Sequence, residues 1–296
     1  MLFYMAMRYT LQDLLGDFPN EEACMEWLIN YVYPEGIACT RCQKITKHYR
    51  DKDRKSYSCG ICGHHVHPMA NTVLRNTRTP LTYWFYVIYI MTNTKSGISA
   101  KQIERELGVT YKTAWRMMHQ VRKMMSSTDA QLSGEVEIDE TFVHANVYKR
   151  SSAQRKYGRT GQRAGEVLFG AVERGGSVKI FHVKSAGERI LTPLIKQHIS
   201  QGTIIHSDGY RAYMKLPLWG YGHKTTNHSL LQFYTEDSYT QNIENVWSHL
   251  KRGLKGVYRH VEPKYLQAYA NEYAWRYSHR NDVSMFWSLM GKIAHD

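Results

Sequence analysis

The hydrophobic pattern of the chain changes period once, near residue 129. Before that point apolar positions recur at helical spacing. Trp27, Leu28 and Tyr31 line up with Cys24 in "NEEACMEWLINYVY", and "LTYWFYVIYIMT" from Leu81 to Thr92 reads as an aromatic-rich helix. In "SGISAKQIERELGVTYKTAWRMMHQVRKMM", Ser99 and Gln102 make a capping-box pattern, Gly108 marks a helix end and Thr110 caps a second helix. Ile103, Leu107, Val109, Ala114 and Met118 supply the inward face. Two short helices around a glycine turn fit a helix-turn-helix, whose second helix would present Thr110, Tyr111, Lys112, Thr113 and Arg116 to phosphates or base edges. A plain helical hairpin has the same pattern.

From Asp129 to Gly134 the helical period stops and alternation follows. "GEVEIDETFV" predicts a strand with Val136 and Ile138 on one face and Glu137 and Asp139 on the other. After a basic stretch from Lys149 to Arg163, read as a loop or arm, "EVLFGAVER" and "SVKIFHV" flank Gly175-Gly176 as a hairpin. Ile190, Leu194, Ile195 and Ile199 mark an amphipathic helix, and "GTIIHSDG" a short buried strand ending at Asp208. A polar stretch holding His223 and His228 leads to a helix with Ile243, Val246, Trp247, Leu250 and Leu254 on one stripe, and a last helix runs from Pro263 to about His279. The order is a strand meander followed by a crossover, which predicts a mixed sheet flanked by helices.

Charge and cysteine content narrow this picture. Lys and Arg outnumber Asp and Glu by 39 to 26 in 296 residues, giving a net charge of +13 that favours polyanionic partners, nucleic acid above all. A membrane surface is the competing polyanion, but the run from Leu81 to Thr92 is too short to span a bilayer. The start "MLFYMAMRYTLQDLL" lacks a signal-peptide pattern, so a reducing cytoplasm is the expected compartment. Cys39-x2-Cys42 and Cys59-x2-Cys62, sixteen residues apart, have zinc-ribbon spacing and predict one structural Zn2+, against a disulfide or redox pair. Four sulfurs satisfy the metal without His64, His65 or His67, and Cys24 reads as a packing residue.

The acids then fall into place. Asp139 lies on the first strand and Asp208 at the C-terminal end of a later one, where open α/β sheets form their ligand crevice. If the strands are neighbours, the two carboxylates meet and call for hard cations such as Mg2+. Glu244, on the helix from Gln241 onward, is the candidate third ligand, on a row with Ser248, Lys251 and Lys255. Its bland reading is an exposed acid pairing with Ser248 or Lys251. Glu137 and Glu140 are either helpers or solvated, His228 either a phosphate contact or structural, and Trp247 is core by spacing. Arg252 and the basic arm are candidate phosphate contacts.

The motifs "FPNEEACMEWL", "CGICGHHVHP", "RTPLTYWFYVIYIM", "GISAKQIERELGVTYKTAW", "VEIDET", "HSDGYRAY", "NHS" and "TQNIENVWSHLKR" occur in one order over nearly the whole chain. In this the chain resembles the zinc-ribbon insertion-sequence transposases of the Merlin superfamily, within the DDE group. The resemblance implies a multidomain α+β protein: an N-terminal helix and four-cysteine ribbon over 1–78, a helix-turn-helix domain over 79–128, and a ribonuclease-H-like catalytic domain over 129–296 with a basic insertion near 144–165. It implies Asp139, Asp208 and Glu244 as ligands for two Mg2+ or Mn2+ ions, with Lys251 and His228 assisting. Some relatives carry Asn or His as third member, which makes Asn242 and Asn245 alternatives. The knuckle "CTRCQ" departs from the family's usual Pro and Gly. The expected activity is binding of terminal inverted repeats, cleavage, and joining of 3′-OH ends to target DNA, by a homodimer or higher oligomer in a bacterial cytoplasm. Thr110, Tyr111, Lys112, Thr113, Arg116, Lys251, Arg252 and Lys255 are the expected DNA contacts. A DNA-binding regulator and a nuclease that never joins ends are the alternatives.

Overall fold

The computed structural model describes residues 8–51, 54–126, 130–143, 165–226 and 240–294; the basic arm at 149–163 and His228 lie outside them. The chain forms two compact units, Met1–Met124 with Asp282–Asp296, and Met125–Asn281. The stretches expected as separate domains at 1–78 and 79–128 thus share one unit. The tail from Asp282, expected with the catalytic domain, joins that unit as well. The reason is apolar: Phe286, Leu289 and Met290 of the helix Met285–Met290 are buried, and Phe286 stacks on Tyr9 at 4.5 Å.

In the first unit, Thr10 and Asp13 close a reciprocal cap on α1 (Leu11–Asp17), and Asn20 caps α2 (Glu21–Val32), which buries Cys24, Met25 and Leu28. The ribbon follows as β1 (Ala38–Cys39) paired with β2 (Lys44–Ile45), then the antiparallel sheet of β3 (His48–Arg50), β4 (Tyr57–Cys59) and β5 (His65–Val66). α3 (Leu81–Asn93) buries Trp84, Phe85, Ile88 and Met91. α4 (Ala100–Leu107) ends at Gly108, whose φ of 63° is left-handed, and α5 (Tyr111–Met124) opens with Thr113 N–H on Thr110 Oγ1 at 3.3 Å. Only half of the expected capping box forms on α4. Ser99 Oγ accepts from Gln102 N–H at 3.2 Å, but the Gln102 amide donates outward to Glu106 at 2.8 Å. Ile103, Ala114 and Met118 are buried as the pattern requires, while Leu107 and Val109 are half-buried.

The second unit is built on one mixed sheet of β6 (Glu135–Val143), β7 (Glu166–Glu173), β8 (Val178–Val183), β9 (Ile204–Asp208) and β10 (Gly222–Thr226), in the order β10-β9-β6-β7-β8. β6, β7 and β8 form the antiparallel meander; α6 (Glu188–His198) crosses over, and β9 returns parallel to β6. Val136, Ile138, Phe169, Ala171 and Ile205 pack with Leu191 and Ile195 of α6 on one face. On the other, Leu168, Val172 and Ile180 pack with α7 (Gln241–Gly253) and α8 (Leu266–Ser278). Three details differ from the hydrophobic pattern. On α6 it is Leu191 that is buried and Ile190 that is exposed. The polar stretch around His223 is itself the edge strand β10, parallel to β9. α7 widens at Leu254–Tyr258 into a π turn, so Leu254 is only half-buried and Lys255 leaves the α-helical row of Glu244, Ser248 and Lys251.

Candidate active site

Parallel pairing sets Asp139 against Asp208. Glu135, Val136 and Glu137 pair with Ile204, Ile205 and His206, so the same register carried two residues further brings Asp139, midway along β6, level with Asp208 at the C-terminal end of β9. Asp208 closes β9 by accepting the Tyr210 N–H at 3.0 Å on Oδ1, a local turn that fixes its carboxylate. On the other flank of β6, Asp139 pairs with Gly170 of β7. A Cβ at Gly170 would lie 2.6 Å from Trp247 Cη2 and 2.8 Å from Ile243 Cδ1. The missing side chain lets α7 press its indole onto the sheet, and Trp247 Nε1–H donates to Asp139 Oδ2 at 2.8 Å. Trp247 is core, as its spacing predicts, and also holds the candidate ligand. The isolated glycine in "EVLFGAVE" was the available signal for that close approach.

Glu137 fixes the same helix from its other end. Its side chain is fully buried and accepts four bonds: Asn242 N–H at 2.9 Å and Ile243 N–H at 3.2 Å on Oε2, and Asn242 Nδ2 at 2.8 Å and Arg174 Nε at 3.1 Å on Oε1. A strand carboxylate thus takes up the free N–H groups at the start of α7, where negative charge is favoured. Glu137 is neither solvated nor aimed into the crevice. Of the two alternative third ligands, Asn242 spends its amide on Glu137, and Asn245 is exposed, as Glu244 is.

Glu244 lies in the first turn of α7, exposed, with Thr240 Oγ1 donating to it at 3.4 Å. The bland partners, Ser248 and Lys251, make no bond to it. Its charge reaches Asp139: burial, relieved by the Trp247 bond and then raised again by Asp208 and Glu244, pushes the Asp139 carboxyl up to about 6. Glu140, on the opposite strand face, accepts a bond from Tyr213 OH, and burial together with Asp139 and Asp208 pushes it up to about 8. Among the described residues no cation pairs with Asp139, Glu140, Asp208 or Glu244. Among the described residues, no three of these acids bring ligand oxygens within 4.8 Å of one another. Unanswered charge on hard oxygen donors fits divalent cations of the Mg2+ type.

In the ribbon, the four sulfurs of Cys39, Cys42, Cys59 and Cys62 all lie within 4.8 Å of one another, with Cys39–Cys62 at 3.6 Å and Cys42–Cys59 at 3.9 Å. A tetrahedron with Zn–S bonds of about 2.3 Å has edges of about 3.8 Å, so the set fits one structural Zn2+. Thr46 Oγ1 lies 3.1 Å from Cys59 Sγ and Ile61 N–H points at the same sulfur; Thr46, first among these donors, lowers the Cys59 thiol to about 5, and Cys42 N–H points at Cys39 Sγ. Among the remaining expected contacts, Thr110, Tyr111, Lys112, Arg116, Lys251, Arg252 and Lys255 are exposed and Thr113 is half-buried.

A four-cysteine ribbon and a mixed sheet carrying carboxylates that no cation pairs define a zinc-ribbon protein with an α/β domain. The chain belongs to the zinc-ribbon insertion-sequence DDE transposases: residues 131–278 match the ISXO2-like transposase domain and residues 19–65 the transposase zinc-ribbon domain. It is 25% identical over 207 residues to an uncharacterized protein in transposable element ISH50 of Halobacterium salinarum, covering 66% of this chain and 70% of that protein. It is 28% identical over 102 residues to an uncharacterized transposase-like protein of Haemophilus influenzae, covering 34% of this chain and 79% of that one. A simian T-cell lymphotropic virus intasome bound to the PP2A regulatory subunit B56 gamma matches with a TM-score of 0.30 at 14% identity, over 58% of this chain and 63%, short of two thirds, of that chain. Among the described residues no helix is long and apolar enough to cross a membrane.

Proposed function

We propose that this transposase binds the terminal inverted repeats of its own element, cuts at the element ends and joins the 3′-OH ends to target DNA. Asp139, Asp208 and Glu244 act as the metal-binding triad. The level register of Asp139 and Asp208, with Glu244 on a helix tied to the same strand through Glu137 and Trp247, is the observation that supports this reading most. When bound, two Mg2+ or Mn2+ ions supply positive charge at the attacking and leaving oxygens of an in-line displacement. The chain's own residues do the rest. Trp247 orients one carboxylate, the turn at Tyr210 orients another, and Thr240 contacts the third. No nucleophilic side chain is needed.

The meander followed by a crossover supports the ribonuclease-H-like reading of this unit. The exposed start of α5, from Thr110 to Arg116, offers the contacts to the element ends, with Lys251, Arg252 and Lys255 on phosphates near the cut. Joining two ends requires a homodimer or higher oligomer, acting on DNA in a bacterial cytoplasm. His228 remains the candidate contact to the scissile phosphate.

The test incubates full-length protein with a labelled element end and a target plasmid in Mg2+ or Mn2+, comparing wild type with Glu244→Gln. Joined product that disappears in the variant is expected. Cleavage without joining makes the protein a nuclease, binding alone makes it a regulator, and full activity of Glu244→Gln refutes the triad.

A further inference from the structure

Within the first unit, the segment after the ribbon and the start of α5 enclose a cleft of about 390 Å3 with Arg78, Lys112 and Arg116 around it. No carboxylate lines it, and among the described residues none pairs with these three cations, all of them exposed. Thr79 and Thr113 add hydroxyls at the same cleft. We infer that this cleft seats a backbone phosphate of duplex DNA, so that Arg78, outside the two-helix motif, grips the same strand as Lys112 and Arg116. The inference rests on the DNA-binding reading of α5 and extends it to the segment 76–79.

Three observations favour a phosphate. Cations left without acids repel one another, and an anion relieves this; a guanidinium fork matches phosphate oxygens. The cleft is far too small for a duplex but roomy enough for one phosphodiester group. Its floor holds Trp84 and Met117, each only 1% exposed, and the Trp84 N–H is already given to Thr77 Oγ1 at 2.9 Å. No ring face is therefore free to stack a base, which argues against a nucleoside.

The backbone that carries Arg78 is also held in advance. Thr77 Oγ1 accepts Trp84 Nε1–H and, at 3.2 Å, the Thr79 N–H, while Thr77 N–H binds Leu74 O at 3.1 Å. Lys55 Nζ donates to Thr79 O at 3.1 Å. Arg78 thus sits between two anchored neighbours, and less ordering is left to be done on binding.

The test is fluorescence anisotropy of full-length protein on a labelled duplex over a range of salt, for wild type, Arg78→Gln, Lys112→Gln and the Arg78→Gln/Arg116→Gln double variant. Each single change is expected to weaken binding on the order of tenfold at about 0.1 M salt and to lower the log–log salt slope by about 1. The loss at Arg78 should be the same on element-end and unrelated duplexes, because a phosphate carries no sequence. Unchanged affinity and slope in Arg78→Gln, with a loss in Lys112→Gln, overturns the cleft and leaves the reading of α5 standing. Unchanged binding in both overturns the two together. Zinc content and the thermal midpoint, expected to match wild type, separate lost contacts from lost fold. If Arg78→Gln lowers either, Arg78→Lys must restore binding at least in part or the proposal fails.

Discussion

Glu137→Gln keeps the size of a buried side chain and removes its charge. The oxygen that serves the Asn242 and Ile243 N–H groups can stay, and Asn242 can turn its amide to meet the new NH2. Arg174 Nε cannot adapt, because it then faces a donor. A hydrogen bond to a charged group contributes about 1.5–3 kcal/mol, and breaking a buried ion pair costs about 3–5 kcal/mol. Arg174 retains Glu135 as a partner, which places the net loss near the lower end, at about 3 kcal/mol. For a unit of this size that lowers the unfolding midpoint by about 6–12 °C. Function should suffer beyond stability. Glu244 rides in the first turn of the helix that Glu137 holds, so the metal concentration for half-maximal cleavage should rise several-fold, with a smaller change in rate at saturating metal. Calorimetry and a Mn2+ titration of end cleavage measure the two effects. A variant that melts within about 1 °C of wild type, with the same metal dependence, would refute the claim that this carboxylate anchors the helix.

Gly170→Ala places a methyl group where the Trp247 ring now lies, at 2.6 Å, and should cost about 1–3 kcal/mol with loss of the Asp139 bond; unchanged melting and cleavage would contradict the close approach. Trp247→Phe removes the donor that lowers the Asp139 carboxyl, so cleavage should need a higher pH than in wild type, read from pH–rate profiles. Gln43 stands in the left-handed region at φ 53°, where its counterpart in the second knuckle, Gly63, has φ 67°. Gln43→Gly should therefore stabilise the ribbon by about 1 kcal/mol, seen as slower zinc loss to a chelator; faster loss refutes the assignment. The Asp139 carboxyl is raised from 3.8 to about 6, so the folded chain holds that proton more tightly than the unfolded one and loses stability as pH rises through this window. A divalent ion replaces the proton, so Mg2+ should raise the thermal midpoint at about pH 8 and hardly at all near pH 5; equal shifts at both would contradict it.

The candidate site was legible where period and polarity agreed. In "VEIDET", alternation placed Glu137 and Asp139 on one face and Ile138 on the other, and that division is observed. The stripe of Ile243, Val246, Trp247 and Leu250 likewise predicted the buried face of α7. Three kinds of feature escaped. The edge strand β10, "GHKTT", has no apolar alternation; backbone pairing to β9 and the Ser207 Oγ–His223 Nε2 hydrogen bond hold it. The π turn at Leu254–Tyr258 is invisible to a count that assumes one helical period. The duty of Glu137 needed the tertiary fact that α7 begins beside β6, which no local spacing encodes. The first knuckle's departure from Pro and Gly was visible in "CTRCQ", and its consequence is the strained backbone at Gln43.

The four acids of β6 show how a sheet can separate structure from chemistry. Glu135 and Glu137 have their charge answered inside the fold, the first by Arg174, with the buried His206 ring hydrogen-bonded to it, the second by Arg174 and the start of a helix. Two residues on, Asp139 and Glu140 have only neutral donors, an indole and a phenol, and each feels the charge of Asp208. A neutral donor can orient a carboxylate but cannot cancel it. The charge left over is therefore concentrated midway along β6 and at the C-terminal end of β9, where the charge of Glu244 adds to it. A fold selected for stability alone would have placed an Arg there as it did at Glu137. That the compensation stops at Asp139 leaves this part of the strand with charge that an added cation would neutralise, and the proposed metal triad rests on that remainder.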